Sequence, residues 1–115
     1  MSKLAQIDDK TRKALPLFEG CLRYFPDALL EVAEVSRVGN QQHNPGEPLR
    51  WAKEKSRNEL DSLTRHLLDA GTRDGDGMRH SSKVAWRALA NLQREIEREQ
   101  GYDYDEVTDT WRKVR

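Results

Sequence analysis

The fold class follows most directly from residues 79–100, which read RHSSKVAWRALANLQREIEREQ. The apolar residues of this stretch recur every four positions, which places them on one face of a helix with 3.6 residues per turn: Val84, Ala88, Leu92 and Ile96. Gly101 follows directly, as glycine commonly does after the last helical residue. The stretch therefore predicts an amphipathic helix over residues 79–100.

Two further helices are predicted on the N-terminal side of this one. Proline is well tolerated in a first helical turn, so Pro26 indicates a helix over residues 26–38 that Gly39 stops. Residues 39–50 carry two glycines, two prolines and two asparagines, and they predict a loop. A second helix is expected over residues 51–70, followed by a loop rich in glycine and aspartate at 72–78.

The two ends of the chain are less patterned. Residues 1–14 form a polar arm, and residues 102–115 form a C-terminal tail in which we find no β-alternation of useful length. The sequence therefore predicts a single all-α domain over residues 1–115.

Composition excludes several classes of function. The 115 residues contain 20 Lys and Arg and 20 Asp and Glu, so no net charge draws the chain to nucleic acid. No apolar run approaches the roughly 20 residues that span a bilayer, and the N-terminus lacks the hydrophobic segment of a signal peptide. We expect a cytoplasmic protein with no nucleic-acid or membrane partner. Because a small polar chain buries a limited core, we also expect a homodimer or homotetramer.

Acidic residues form a stripe on the first predicted helix. Asp27, Glu31 and Glu34 fall at i, i+4 and i+7, and their mutual repulsion would become affinity for a bound cation. A solvated acidic face explains the same pattern. On the second predicted helix a matching face carries acidic, amide and basic residues at i, i+4, i+7 and i+11: Glu54, Asn58, Asp61 and Arg65.

If these two helices pack together, their oxygen ligands converge. Oxygen-only ligands favour Mg²⁺ or Mn²⁺ over zinc, and the three histidines show no zinc-like spacing. The third predicted helix carries a basic stripe at i, i+3 and i+7, formed by His80, Lys83 and Arg87. Such a stripe is often solvated, but here it complements a metal-bound triphosphate by gripping phosphate oxygens.

Three segments resemble a known family: RYFPDALLEVAEVSRVGNQQHNPGEPLRW, LDSLTRHLLDAG and DGDGMRHSSKVAWRALANL. They are similar to the phage-associated dATP/dGTP diphosphohydrolase N-terminal-domain family, over residues 22–96. The pairs Glu31/Glu34 and Asn58/Asp61 also resemble the E-x-x-E and E-x-x-D motifs of the MazG and dimeric dUTPase superfamily of all-α nucleotide pyrophosphohydrolases. The resemblance implies a MazG-like helical bundle completed by homo-oligomerisation.

The resemblance also implies a reaction and a metal. Glu31, Glu34 and Asp61 would hold Mg²⁺ or Mn²⁺ on a purine deoxynucleoside triphosphate, with dGTP favoured and dATP next. Water would attack the α-phosphorus and release pyrophosphate, and Arg65 and Lys83 would stabilise the phosphoryl charge.

Substrate contacts are expected around the first loop and the basic stripe. Trp51 is a candidate for stacking on the base, Asn44 for hydrogen bonding and Lys55 for phosphate. His66, His80 and Arg87 complete the expected substrate-binding set, although a purely structural role remains open for His66 and His80.

One position departs from the superfamily pattern, because Asn58 stands where an acid is usual. Asn58 would then be a neutral metal ligand, or Glu54 would take over its role. The departure also leaves open a non-catalytic nucleotide-binding or interaction module on the same fold.

Overall fold

The structure, a computed structural model, describes residues 6–55 and 57–115. Its elements in chain order are four α-helices and two strands: α1 (Asp9–Ala14), α2 (Pro26–His43), α3 (Glu59–Leu68), α4 (His80–Glu99), β1 (Tyr102–Asp105) and β2 (Thr110–Lys113). The fold is mostly helical, as predicted. The all-α expectation is wrong only for the C-terminal tail.

The N-terminal unit extends to Leu30. Asp8 caps α1 by accepting a hydrogen bond from the Thr11 backbone N–H at 2.8 Å. A 3₁₀ turn, Leu22–Tyr24, precedes the first turn of α2. The first five residues of the predicted polar arm lie outside the described residues, and the remainder of the arm is partly helical.

In the unit that begins at Glu31, the main packing joins α3 to α4. The faces in contact are largely polar, because Glu59, Ser62, Ser82 and Arg94 are all buried. Among the described residues, Ala90 is the only fully buried hydrophobic side chain. Leucines on α3 and α4 remain more than half exposed: Leu60, Leu67, Leu68, Leu89 and Leu92. Several large apolar side chains of this unit are therefore not covered within one chain.

The prediction for α4 is confirmed to within one residue at each end. Arg79 is the N-cap, and Gly101 follows the helix with φ 94°. A positive φ is strained for residues with a Cβ, so glycine suits this stop.

The end of α2 is placed wrongly by the sequence, because the helix continues through Gly39 to His43. A glycine inside a helix costs about 1 kcal/mol relative to alanine, which neighbouring contacts can offset. Here Asn40 donates to the carbonyl of Glu47 at 3.1 Å. The helix ends at His43. Asn44 does not continue it, because the following Pro45 disfavours a helical conformation of the residue before it.

The second predicted helix is shorter than expected, since it begins at Glu59 rather than residue 51 and ends at Leu68 rather than residue 70. Tertiary contacts hold the preceding residues in turns. Lys53 donates to Glu97 at 2.7 Å, and Lys55 donates to the carbonyl of His43 at 2.6 Å. Glu54 and Asn58 are therefore not on a helical face with Asp61, and Asn58 is instead the N-cap of α3.

The tail forms an antiparallel hairpin, in which Tyr102 pairs with Lys113 and Tyr104 with Trp111. A two-stranded hairpin is marginal by itself, so it requires packing against another element. The indole N–H of Trp111 donates to Glu97 on α4 at 2.6 Å, and Lys113 donates to the carbonyl of Gln100 at 2.9 Å. Trp111 thus anchors the tail to α4.

In the part of the chain that the structure describes, no helix combines the length and the apolar character needed to cross a bilayer.

Candidate functional site

A cavity of about 480 Å³ lies in the unit that begins at Glu31. Its walls come from residues 35–44 at the end of α2, residues 49–55, the 74–78 loop, His66 of α3, and one face of α4. The volume falls within the range of small-molecule sites, roughly 300–1,000 Å³. Four cationic and two acidic side chains line the cavity, which gives it an excess of positive charge: Arg50, Lys55, Lys83, Arg87, Asp74 and Asp76.

Two indole rings form one wall. The Trp51 and Trp86 rings meet edge to face, with centroids 5.6 Å apart and planes at 77°. Trp86 is fixed by its indole N–H, which donates to Ser36 Oγ at 2.8 Å. The ammonium of Lys53 lies 4.6 Å from the Trp51 ring centroid, where it is attracted to the π-system. The stacking role predicted for Trp51 is compatible with this position. Trp86 lines the same cavity.

Asn44 and Lys55 form a polar corner of the cavity. Asn44 is 3% exposed, and its amide donates to Asn40 Oδ1 at 3.2 Å. Lys55 Nζ donates to Asn44 Oδ1 at 3.0 Å and to the carbonyl of His43 at 2.6 Å. Both acceptors are neutral, so these bonds position Lys55 without cancelling its charge.

Lys83 on α4 is held by two carboxylates of the 74–78 loop. Its Nζ lies 2.7 Å from Asp74 Oδ2 and 2.7 Å from Asp76 Oδ2. Lys83 and the Gly75 backbone N–H lower the pKa of Asp74 to about 2. Lys83 and the Met78 N–H likewise lower the pKa of Asp76. Burial acts to lower the pKa of Lys83, but its hydrogen bonds to both acids outweigh burial and raise it. All three groups are therefore charged at neutral pH.

Arg79 is the N-cap of α4, so Asp74 and Asp76 do not cap this helix. Their side chains instead shape the loop. Asp74 Oδ1 accepts from Gly75 N–H at 2.7 Å, and Asp76 Oδ1 accepts from Met78 N–H at 3.0 Å.

Two histidines meet at the edge of the cavity. His66 on α3 and His80, the first residue of α4, have their Nδ1 atoms 2.9 Å apart. Burial and the nearby charge of Lys83 lower the pKa of His66. His66, Asp74 and His80 form the one group of three potential metal-ligating side chains found among the described residues. Their ligand atoms all lie within 4.8 Å of one another.

Below the cavity, a buried ion network joins α3 to α4. Glu59, which is 2% exposed, accepts from Arg87 at 2.9 Å and from Arg94 at 3.3 Å. Arg94 is 1% exposed and also donates to the carbonyl of Lys53 at 2.7 Å. Arg87 thus lines the cavity, as its place on the basic stripe predicts, while its charge is partly neutralised by Glu59. No sequence spacing singled out Glu59 or Arg94.

The carboxylates proposed as metal ligands lie elsewhere. Glu31 accepts from Arg79 at 3.0 Å, and Glu34 is paired with Arg37, which lowers the pKa of Glu34. Asp61 is exposed on α3. Among the described residues these three acids do not form a group within 4.8 Å, and α2 is not extensively packed against α3. One chain alone does not assemble a cation site from them.

The remaining predicted site residues divide accordingly. Six line the cavity: Asn44, Trp51, Lys55, His66, Lys83 and Arg87. His80 joins them through His66. Asn58 and Arg65 are exposed on or beside α3 and are not part of the cavity lining. Most of the residues predicted to bind substrate therefore line one cavity, while their substrate-binding role and the metal-binding set both remain predictions.

A family model described as dATP/dGTP diphosphohydrolase, N-terminal, matches residues 2–106. No curated protein and no solved structure matches the chain.

Proposed function

Since the chain belongs to the dATP/dGTP diphosphohydrolase N-terminal family, we propose that it hydrolyses a purine deoxynucleoside triphosphate to the monophosphate and pyrophosphate. We expect dGTP to be the favoured substrate and dATP the next. One observation carries the proposal beyond the family: the cavity combines an aromatic wall with unneutralised positive charge. A purine ring and a triphosphate require these two environments within one site.

The aromatic wall is the proposed base site. Base–aromatic contacts contribute about 1–3 kcal/mol per base, and both Trp51 and Trp86 present indole surface to the cavity. Asn44 lines the same cavity, and one of its two amide N–H groups donates to Asn40. Its second N–H is the proposed donor to the base or sugar.

Lys55 is the proposed first contact for the triphosphate. The other cations of the cavity are each bonded to a carboxylate: Arg50 to Glu54, Lys83 to Asp74 and Asp76, and Arg87 to Glu59. Lys55 has only neutral acceptors. Its charge is therefore the most available to phosphate oxygens. Lys83 and Arg87 would add further contacts to phosphate where the triphosphate competes with the carboxylates that they now bind.

The proposed reaction is attack of water on the α-phosphorus. A new P–O bond forms to the water oxygen, the α–β bridging P–O bond breaks, and pyrophosphate departs with the bridging oxygen. The water protons pass to solvent or to a carboxylate. A divalent Mg²⁺ or Mn²⁺ would supply charge neutralisation on the phosphates.

Glu31, Glu34 and Asp61 remain the proposed acidic residues for that cation, with Asn58 beside Asp61 and with Arg65 as a phosphoryl contact. Because the three acids do not converge in one chain, we propose that a second copy completes their arrangement. The exposed leucines of α3 and α4 support a homodimer or homotetramer, since contiguous apolar surface commonly marks an interface. We place this assembly in the cytoplasm.

The reaction is tested by anion-exchange analysis of the purified chain with Mn²⁺ or Mg²⁺ and eight ribo- and deoxynucleoside triphosphates. Monophosphate and pyrophosphate from a purine deoxynucleotide are expected. Repeating the reaction in H₂¹⁸O locates the attack: label in the monophosphate supports the α-phosphorus, whereas label in pyrophosphate contradicts it. Production of diphosphate, or of nucleoside and triphosphate, also contradicts the proposal.

The phosphate role of Lys55 has a matched control within the chain. Lys113 also donates to a backbone carbonyl, at 2.9 Å, but it lies on β2 outside the cavity. We expect Lys55→Met to raise KM for the triphosphate about ten-fold or more, because a charge-assisted contact contributes about 1.5–3 kcal/mol. Lys113→Met should change KM less than two-fold. Equal effects of the two substitutions would remove Lys55 from the site.

The alternative is a non-catalytic nucleotide-binding module. Asn58 in place of an acid favours it, as does the neutralisation of Lys83 and Arg87 by acids of the chain itself. Tight nucleotide binding without product under every divalent metal would establish this alternative.

A further inference from the structure

His66, Asp74 and His80 form a compact group of three metal-ligating side chains that the proposed carboxylate site does not use. They come from α3, from the 74–78 loop and from the first residue of α4, and each is half-buried. Their candidate ligand atoms lie within 4.8 Å of one another. Two of the three, His66 and Asp74, also line the cavity. An ion held by the group would therefore border the nucleotide site.

The distance between the two imidazoles indicates a particular coordination geometry. Metal–nitrogen bonds of about 2.1 Å at an octahedral angle of 90° place two nitrogens about 3.0 Å apart, whereas a tetrahedral angle places them about 3.4 Å apart. The two Nδ1 atoms are 2.9 Å apart. The pair is therefore compatible with two adjacent ligands of an octahedral ion, and without an ion the same separation suits a hydrogen bond between the two rings.

The third ligand is held in place by its own contacts. Asp74 Oδ1 accepts from the Gly75 N–H at 2.7 Å, and Asp74 Oδ2 accepts from Lys83 at 2.7 Å. Contacts of this kind orient metal ligands, and each carboxylate oxygen keeps a further lone pair for an ion. The positive charge of Lys83 lowers affinity for a cation, so the site favours metals that bind imidazole strongly.

We propose that His66, Asp74 and His80 bind one octahedral divalent transition-metal ion that prefers imidazole ligands, such as Co²⁺ or Ni²⁺. Two histidines and one carboxylate form a set that leaves three coordination positions open. Water fills these positions in the absence of nucleotide, and phosphate oxygens of a bound triphosphate fill some of them in its presence. The last statement rests on the proposed function, whereas the metal site itself does not.

The test uses the untagged chain without nucleotide, titrated calorimetrically with Ni²⁺ and with Co²⁺. We expect one ion per chain. His66→Gln, His80→Gln and Asp74→Asn should each weaken binding at least ten-fold, because removing a direct ligand should cost no less than removing an outer-shell partner. The matched control is His43→Gln, which changes the third histidine and should alter affinity less than two-fold. Circular dichroism verifies that every variant is folded.

A second measurement needs no substitution. Paramagnetic Ni²⁺ should broaden the imidazole NMR signals of the two ligands, His66 and His80, at substoichiometric metal more strongly than those of His43, which lines the cavity but is not a ligand. Millimolar Mg²⁺ should not displace the ion, because magnesium prefers oxygen ligands. Absence of one-to-one binding, equal broadening of all three histidines, or displacement by Mg²⁺ would overturn the proposal. Because no nucleotide is present, a failed hydrolysis assay leaves this result unaffected, and the reverse also holds.

Discussion

Replacing Glu59 with glutamine removes the negative charge of the buried network that joins α3 to α4. The Glu59 side chain is 1% exposed, as is that of Arg94, and it receives bonds from Arg87 at 2.9 Å and from Arg94 at 3.3 Å. In Glu59→Gln, Arg94 keeps its bond to the Lys53 carbonyl but loses its carboxylate partner. The buried guanidinium of Arg94 then loses the carboxylate that it bonds directly, and the lost partner of a buried ion pair costs about 3–5 kcal/mol.

This loss is a large part of the free energy of unfolding, which is about 5–15 kcal/mol for small domains. It should lower the Tm by roughly 10–25 °C, since about 1 kcal/mol corresponds to about 3–5 °C in a domain of this size. The assay is urea and thermal unfolding followed by circular dichroism at 222 nm. Protein concentration is held constant, because self-association makes the Tm depend on it.

A matched substitution tests whether burial is the reason. Glu34→Gln also removes a carboxylate from an arginine, but Glu34 and Arg37 are both exposed and three residues apart on α2. Exposed pairs of this kind contribute at most about 1 kcal/mol. If Glu59→Gln costs less than about 1 kcal/mol, or no more than Glu34→Gln, the network does not hold α3 and α4 together.

Three further predictions concern pH, nucleotide binding and assembly. Burial acts to raise the pKa of Glu97, but its hydrogen bonds from Lys53, Gln93 and the Trp111 indole outweigh burial and lower it below the ordinary 4.5. The resulting stability is present above pH 4.5 and is lost as the pH falls through the lowered pKa. Urea midpoints should therefore decline below pH 4.5 in the wild type and more weakly in Glu97→Gln, whereas substitution of the exposed Glu99 should leave the decline intact. Trp51→Leu should weaken nucleotide binding roughly 5- to 100-fold, measured by equilibrium dialysis, because it removes a base–aromatic contact; Trp111→Phe, outside the cavity, should bind like the wild type. Leu68 is 82% exposed at the end of α3, so Leu68→Glu should shift the wild-type oligomer toward the 13.4 kDa monomer in sedimentation velocity; a wild type that is already monomeric at high concentration contradicts the oligomer.

Local periodicity determined the parts of the fold that depend on local contacts. The helix over His80–Glu99 is confirmed because its hydrogen bonds join residues four apart and its stop at Gly101 is a property of one residue. The C-terminal hairpin was not predicted. The Tyr-Asp-Tyr-Asp alternation of β1 nevertheless favours β structure, as does the tyrosine, threonine and tryptophan content of the two strands. Its two short strands depend on contacts with α4, which no local pattern shows.

The bounds of α2 and α3 were decided by tertiary contacts. Gly39 is a weak stop that α2 passes through, and residues that suit a helix near Lys53 and Lys55 are held in turns by bonds to distant groups. Intrinsic helix propensities differ by less than about 1 kcal/mol per residue for most residue types, so a few such bonds are enough to override them.

The sequence by itself determined the helical class, the family and six of the residues that line the cavity, because motif residues and one-helix stripes are read along the chain. Only the tertiary structure decided which charges neutralise one another. Glu59 meets Arg87 and Arg94 across 28 and 35 positions, and His66 meets His80 across 14. Such pairings depend on the paths of the intervening loops, and the energy of a charge depends on its burial. Spacing along a helix reveals neither the loop paths nor the burial.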